Sequence, residues 1–237
     1  MESSSSPHRG TLLSIQVGKP KDHGREDAAD AHDRPWTTGF FKTPVGEPVF
    51  AAKTNLVGDG QADLKNHGGV DKAVLGYSAD HYPKWREELG MPGMPFGAFG
   101  ENLTIAGMSE WSVCIGDILR IDSVIFEVSQ PRQPCWKLAR RWRLHALTGM
   151  VVRNGRSGWY LRVLEEGWLE APAPVTLLDR PNPDWTIARA NEILHHRKSD
   201  LKLTLELADV PRLAASWVDE LRERAAALAA ADSEVVR

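Results

Sequence analysis

Cysteine is scarce in this chain of 237 residues, where Cys114 and Cys135 are the two examples. Two cysteines cannot build the disulfide framework of a small secreted domain, so we expect a reducing, cytoplasmic compartment. The sequence also lacks the cysteine sets of iron–sulfur clusters and the Cys/His spacing of zinc sites. These absences argue against the disulfide-rich, iron–sulfur and zinc-finger classes.

Long apolar runs and an excess of positive charge are missing as well. No window is apolar over the roughly 20 residues that a membrane-spanning helix needs. Residues 1–10, MESSSSPHRG, lack the apolar segment of a signal peptide, and we expect them to form a disordered tail. The formal net charge of −3 disfavours nucleic-acid binding, which needs a concentrated basic face. We therefore expect neither a membrane nor a nucleic acid as partner.

The chain does contain many short strand-like segments separated by turns. Apolar alternation or short apolar runs predict strands at 11–17, 72–77, 102–105, 113–121, 124–129, 158–164 and 175–178. We expect a bend at Gly116 and Asp117 within the fourth of these. Helical spacing predicts small helices within residues 79–89 and 136–152. Many strands with few βαβ repeats indicate a mostly β protein of the α+β type, with a barrel-like core and small peripheral helices.

Beyond Pro183 the pattern becomes helical. Three helical segments are predicted at residues 186–196, 200–207 and 211–230, with Thr186 and Ser199 or Asp200 as N-caps. We therefore divide the chain into a β domain at residues 11–181 and a three-helix domain at residues 184–232. A helix-turn-helix DNA reader is the weaker interpretation, because these helices carry many acidic residues.

The segment 128–138, VSQPRQPCWKL, is the most informative part of the sequence. Pro131 and Pro134 are expected to end the preceding strand and fix a rigid turn. Cys135 would then lie at a strand-to-helix corner, near backbone N–H donors and cations that favour the thiolate. A thiolate attacks electrophiles or binds soft metals. A small buried thiol is the alternative, and it is the interpretation that we favour for Cys114.

A second candidate loop is HGGVDK at residues 67–72. Gly68 and Gly69 after His67 permit positive φ and close backbone approach, as ligand-binding loops require. Asp71 could orient a cation, and Lys72 could bind a phosphate or carboxylate. A simple turn would need the same glycines for local reasons.

Other polar residues leave alternatives open. Glu101 and Asn102 at a strand start either face a pocket or form a turn. A nucleophile–base pair of Cys135 with His67 is conceivable, but the sequence does not bring them into contact. The basic residues after the strand either lie on a solvated helix face, favoured for Arg141 and Arg143, or bind an anion, favoured for Arg132 and Lys137.

These segments and their order resemble the MOSC domain, the module homologous to the C-terminal part of molybdenum cofactor sulfurases. The matching motifs are HGGVDKAV at 67–74, FGENLT at 99–104, IGD at 115–117, VSQPRQPCWKL at 128–138 and GRSGWYLRVLEEG at 155–167. Within that family the chain is similar to YiiM-type proteins, which carry a C-terminal three-helix domain. The resemblance covers residues 11–230.

The resemblance implies a barrel-like domain that binds a pyranopterin molybdenum cofactor. It implies reduction of N-hydroxylated compounds, including hydroxylaminopurine-type base analogues, independently of pyridoxal phosphate. Cys135 is then the expected molybdenum ligand, because thiolate is a soft donor suited to a sulfur-bound redox metal. The residues expected at the cofactor are Lys72, Gly68, Gly69, Asp71, Arg132 and Lys137. Those expected on the substrate side, where a proton donor is needed, are His67, Asn102 and Glu101.

Partners and alternatives follow from the same resemblance. The sequence has no flavin or dinucleotide fingerprint, so electrons are expected from a separate reductase, and a homodimer is left open. A sulfur-carrier or cofactor-delivery module with a persulfide on Cys135 is the alternative, and a non-catalytic binding protein that uses its tail is a third hypothesis. Residues 18–48, rich in His, Asp and Arg, match no motif; if they cover the pocket mouth, the substrate range will differ from that of relatives.

Overall fold

The computed structural model describes residues 8–235, so most of the predicted tail lies outside the described range. His8, Arg9 and Gly10, which we assigned to that tail, belong instead to the first strand. The strands are β1 (His8–Val17), β2 (Lys21–His23), β3 (Trp36–Thr38), β4 (Thr43–Val45), β5 (Val49–Ala52), β6 (Asn55–Leu56), β7 (Val74–Ser78), β8 (Leu103–Ala106), β9 (Ile118–Ile121), β10 (Val124–Pro131), β11 (Trp159–Glu165), β12 (Gly167–Leu169) and β13 (Ala173–Asp179).

Helices are short except at the C-terminal end. They are α1 (Leu64–His67), α2 (Tyr82–Glu88), α3 (Trp136–Trp142), α4 (Leu147–Asn154), α5 (Ile187–His195), α6 (Leu201–Ala208) and α7 (Ala215–Val235). Three 3₁₀ turns, at Ala31–Asp33, Val70–Lys72 and Ala79–His81, complete the described elements.

Seven strands close into a barrel. Neighbours follow the order β1, β13, β9, β10, β11, β7, β8 and back to β1, with β4 added along β1. The β7–β8 pair is parallel and the other ladders of the barrel are antiparallel. The mostly β, barrel-like core predicted from the strand pattern is therefore confirmed.

The barrel interior is filled by alternate side chains of its strands. Phe126 and Val128 of β10 and Leu161 of β11 are fully buried. Trp159 is also buried, and it lies against Gly76 of β7, where a Cβ atom would approach the indole Nε1 to 2.9 Å. A glycine is therefore required at position 76 for β7 and β11 to pair around this indole.

A second apolar cluster lies beside the barrel and supports the loops of one end. Tyr77 and Phe99 stack with ring centroids 4.6 Å apart, and Trp85 packs against Phe99 at 5.3 Å. Leu138 of α3 and Leu147 of α4 are buried in the same cluster. Helices α2, α3 and α4 are thus fixed around the segment that precedes β8.

The three-helix unit shares its hydrophobic core with the barrel. Trp217 and Leu221 of α7 are buried in the same cluster as the barrel interior. Thr186 accepts a hydrogen bond from the Arg189 N–H and Asp200 from the Leu203 N–H, so the predicted N-caps at these two positions are confirmed. The helices therefore stabilise the barrel rather than forming a separate core.

One expectation about local structure is wrong in part. The strand predicted at residues 113–121, with a bend at Gly116 and Asp117, begins only at Ile118. The bend itself is present, because Asp117 accepts the Cys114 N–H at 2.9 Å and holds a turn there. Pro131 ends the preceding strand as expected: it is the last residue of β10 and pairs with Trp159. Its missing N–H is tolerated because β9 pairs with β10 no further than Glu127, which leaves that edge free.

Replacing Leu161 with Ala is expected to lower the free energy of unfolding by about 2–5 kcal/mol, because a fully buried side chain leaves a cavity. Leu164→Ala on the same strand is the matched control, since this side chain is 40% exposed and its loss should cost less than about 1 kcal/mol. Urea unfolding followed by tryptophan fluorescence measures both. Equal losses in the two variants would contradict the assignment of the β11 faces.

Candidate functional site

An open cleft lies over the neighbouring strands β8, β7, β11 and β10, where their connecting loops meet. Its volume is about 580 Å³, counting solvent at its mouth. It is the kind of concave space that small ligands and cofactors occupy. The predicted site residues that the structure brings together along its wall are His67, Lys72, Asn102, Arg132, Cys135 and Lys137.

Arg132 places a buried cation in this cleft. The residue is 3% exposed; its backbone N–H donates to the Gly158 carbonyl at 3.1 Å and its Nη2 to the Phe99 carbonyl at 3.3 Å. Its Nη1 is buried without a hydrogen-bond partner among the described residues. A buried guanidinium nitrogen without an acceptor is costly, so this geometry suits an anionic ligand.

Two lysines add to the positive charge. Lys72 donates from Nζ to the Asn66 carbonyl at 2.8 Å, and Lys137, the second residue of α3, lines the cleft. Burial lowers the pKa of Lys72, although Asp71 and Asp63 oppose that shift. The cleft is therefore cationic although the chain as a whole carries a small negative charge.

His67 ends α1 and faces these cations. Its Nδ1 lies 3.7 Å from an oxygen of Asp63, beyond hydrogen-bond distance, and is buried without a partner in the described part of the chain. Burial, followed by the charge of Lys137, lowers the pKa of His67 below its ordinary value. The ring is therefore mainly uncharged at neutral pH.

Cys135 occupies the strand-to-helix corner that the sequence predicts. It is the extended residue directly before α3, and its thiol is free and half-buried. Tyr160 of β11 lies nearby: burial raises the pKa of its hydroxyl, the sulfur of Cys135 adds to this, and Arg132 opposes it. Cys135, Arg132 and Tyr160 thus form one neighbourhood of the cleft.

Asn102 lines the cleft, but its amide is engaged in holding the barrel. Its Oδ1 accepts the Leu75 N–H at 3.1 Å, and its Nδ2 donates to Asp59 at 2.8 Å and to the Gln16 carbonyl at 3.2 Å. Asp59 also forms an ion pair with Lys42, which lines the cleft. A network of polar side chains therefore forms this wall.

Glu101, Gly68, Gly69 and Asp71 are not among the residues that line the cleft. Glu101 lies just before β8 and is fully buried, bonded to the backbone of residues 97–99. Its carboxylate accepts the Gly97 N–H at 2.7 Å. Asp71 pairs with Arg162 at 2.5 Å, on the side of the turn away from the cleft lining. In this structure these residues support the loops around the cleft.

The segment 18–48 supplies a cleft wall that the motifs did not reveal. Thr38, Gly39, Phe40 and Lys42 from this segment line the cleft, and Tyr160 is a further lining residue that we did not single out. Tyr160 could have been predicted from strand alternation. Since Trp159 is apolar and faces the core, the next residue of the strand must point to the other side.

Arg141 of α3 and Arg143, directly after α3, hold this segment in place. Arg141 donates to the Phe40 carbonyl at 3.0 Å and is half-buried, so the expected solvated face is wrong for it. Arg143, more exposed, pairs with Asp33 at 2.5 Å and with Asp30 at 2.8 Å. The sequence signal for this contact is a pair of charge clusters: acidic residues at 30 and 33, and a basic run after Cys135.

Within residues 8–235, no helix is long and apolar enough to cross a membrane. No group of three or more His, Cys, Asp and Glu side chains in that range is arranged to hold a metal ion.

Two protein-family models match the chain: the MOSC domain over residues 63–176 and the YiiM-like, 3-alpha helix domain over residues 185–227. "Uncharacterized protein YflK" of Bacillus subtilis is 41% identical over 209 residues, covering 88% of this chain and 91% of that protein. "Protein YiiM" of Escherichia coli is 34% identical over 189 residues, covering 79% and 84%. A protein of Gibberella moniliformis named "Reductase" is 35% identical over 229 residues, which are 94% of this chain and 39% of that protein.

Solved structures give the same result. The crystal structure of YiiM from Geobacillus stearothermophilus matches with a TM-score of 0.76 and 36% identity, covering 91% of this chain and 99% of that one. YiiM from Escherichia coli matches with a TM-score of 0.71 and 30% identity, covering 79% and 89%. The chain belongs to the YiiM-like group of the MOSC family. MOSC domains are associated with binding of the molybdenum cofactor.

Lys137→Met is expected to raise the pKa of His67, because a positive charge that opposes protonation is removed. The imidazole Cε1 resonance in an NMR pH titration measures this value. Lys65→Met removes an exposed lysine of α1 that is not among the charges lowering the pKa of His67, and should leave it unchanged. An unaltered titration in the Lys137 variant would contradict the described proximity of the two side chains.

Proposed function

We propose that this protein is a molybdenum-cofactor-binding reductase of N-hydroxylated compounds, with Cys135 as the protein ligand of molybdenum. The observation that carries the proposal is one cleft that combines a single free thiol with buried and partly buried cations. Its membership of a family associated with that cofactor supports the same conclusion.

The residues present fit the cofactor. A pyranopterin carries a phosphate, and the partnerless Nη1 of Arg132 with the ammonium groups of Lys72 and Lys137 would hold such an anion. The sulfur of Cys135 is a soft donor, as a sulfur-bound redox metal prefers. Arg132 and Tyr160 beside the sulfur would tune its charge.

The reaction consumes two electrons and two protons, because R–NHOH becomes R–NH₂ and water. When bound, the cofactor supplies the two-electron chemistry, while the protein binds, orients and protonates the substrate. The departing oxygen must be protonated as the N–O bond breaks. Neutral His67 could accept or donate one hydrogen bond to the substrate. Because it is mainly unprotonated at neutral pH, it is poorly suited to supply that proton.

Electrons are expected from a separate protein. The part of the Gibberella protein that this chain matches is 39% of its length, and that protein is named a reductase. The chain described here has two cysteines and no flavin or dinucleotide fingerprint. We therefore infer that an external reductase delivers the electrons in this case.

Cys135→Ser should abolish molybdenum retention and lower turnover by more than about 100-fold. A hydroxyl is a hard, poor ligand for this metal, and mutation of residues that merely support a metal ligand already lowers affinity or activity by about 10–100-fold. Metal analysis and reduction of 6-hydroxylaminopurine with a viologen donor measure this. Cys114→Ser is the matched control: this buried thiol donates weakly to the Pro183 carbonyl and should leave both values near wild type.

Retention of molybdenum and turnover by the Cys135 variant would contradict the proposal. A wild-type protein without turnover that carries a labile sulfur on Cys135, detected by mass spectrometry, would instead support the sulfur-carrier alternative.

A further inference from the structure

A buried ammonium faces the cleft from the segment 18–48. The Lys42 side chain is 7% exposed and forms an ion pair with Asp59, whose side chain is 0% exposed, yet Lys42 lines the cleft. Both residues precede residue 63, where the match to the MOSC domain begins. A lysine removed from water needs such a partner, and a buried pair by itself adds little stability.

Asp59 fixes the position of this ammonium relative to the barrel. Its Oδ1 accepts the Gly18 N–H at 2.8 Å, and its Oδ2 accepts from Asn102 Nδ2 at 2.8 Å. Asn102 in turn accepts the Leu75 N–H at 3.1 Å. Lys42 is therefore held by a carboxylate that is itself attached to two strands and a loop, which gives the Nζ atom a defined place in the cleft.

The surroundings of Lys42 favour release of its proton. Burial lowers the pKa of Lys42, and Asp59 followed by the more distant Glu101 oppose that shift. Lys72, Arg132 and Lys137 line the same cleft, while His67 is mainly uncharged at neutral pH. An ammonium whose pKa is moved toward neutrality is a more efficient acid than free lysine.

We propose that Lys42 is the catalytic residue that donates a proton to the departing oxygen when the N–O bond breaks. This rests on the proposed reductase function. The two electrons would be supplied by an external reductase and the cofactor when bound. The Lys42 proton leaves with the oxygen as water, and the nitrogen takes its proton from solvent. Lys42 then regains a proton from water at the cleft mouth, with Asp59 holding the amine.

Lys42→Arg separates acid catalysis from charge. Arginine keeps the positive charge and the Asp59 partner but releases its proton far less readily. We expect molybdenum content and KM to stay near wild type and kcat to fall by about 10²–10⁴-fold. The basic limb of the kcat–pH profile, where Lys42 loses its proton, should disappear. Lys84→Arg, a change at a lysine that is 69% exposed, is the control and should match wild type.

Asp59→Asn gives a second readout that an anchoring role alone would not produce. Because Asp59 raises the pKa of Lys42, its neutralisation should lower that pKa and shift the basic limb of kcat to lower pH. In protein labelled with ¹⁵Nζ-lysine and free of cofactor, the Lys42 resonance should titrate below the ordinary 10.5, and lower still in the variant. The Lys42→Arg spectrum assigns the resonance.

Full activity of Lys42→Arg with an unchanged basic limb would overturn the inference, because charge alone would then suffice. Loss of molybdenum in that variant would overturn it too, since Lys42 would then hold the cofactor. The proposed function fails separately, when the wild-type protein itself has no molybdenum-dependent turnover.

Discussion

A buried carboxylate that must be satisfied organises one wall of the cleft. Asp59 is removed from water, so it holds the Gly18 N–H, the Asn102 amide and the Lys42 ammonium around itself. These groups belong to different parts of the chain, which are thereby fixed against β1, β7 and β8. Arg132 and Cys135 line the same cleft as Lys42, so an anionic and sulfur-rich ligand bound there would share the cleft with a fixed ammonium and a free thiol.

The loops that form these walls depend on the barrel and the helices behind them. Arg141 and Arg143 attach the segment 30–41 to the cysteine corner through carbonyl and carboxylate acceptors. On the far side, Arg162 links Asp71 to Glu127, and its Nη1 donates to the Arg212 carbonyl at 2.8 Å. The segment that leads into α7 is thus connected to the turn that carries Lys72.

Much of the fold was predictable, because strand alternation and N-caps are local signals. The barrel-like core, the helical end and the corner at Cys135 follow from such signals and from the ordered motifs. Residues 18–48 were not predictable in the same way, since their placement depends on long-range contacts such as Arg141 with Phe40. Asn102 lines the cleft as expected, whereas Glu101 does not, because its carboxylate is buried and accepts backbone N–H groups of the preceding loop. The roles assigned to the cleft residues stay predictions.

The central claim is that Cys135 binds molybdenum in this cleft. The most direct test is molybdenum X-ray absorption of the purified, cofactor-loaded protein in which Cys135→Sec places selenium at that position. We expect a selenium neighbour of molybdenum in this variant and none when Cys114→Sec is made instead. Molybdenum bound without a selenium neighbour in the Cys135 variant would show that Cys135 is not the ligand.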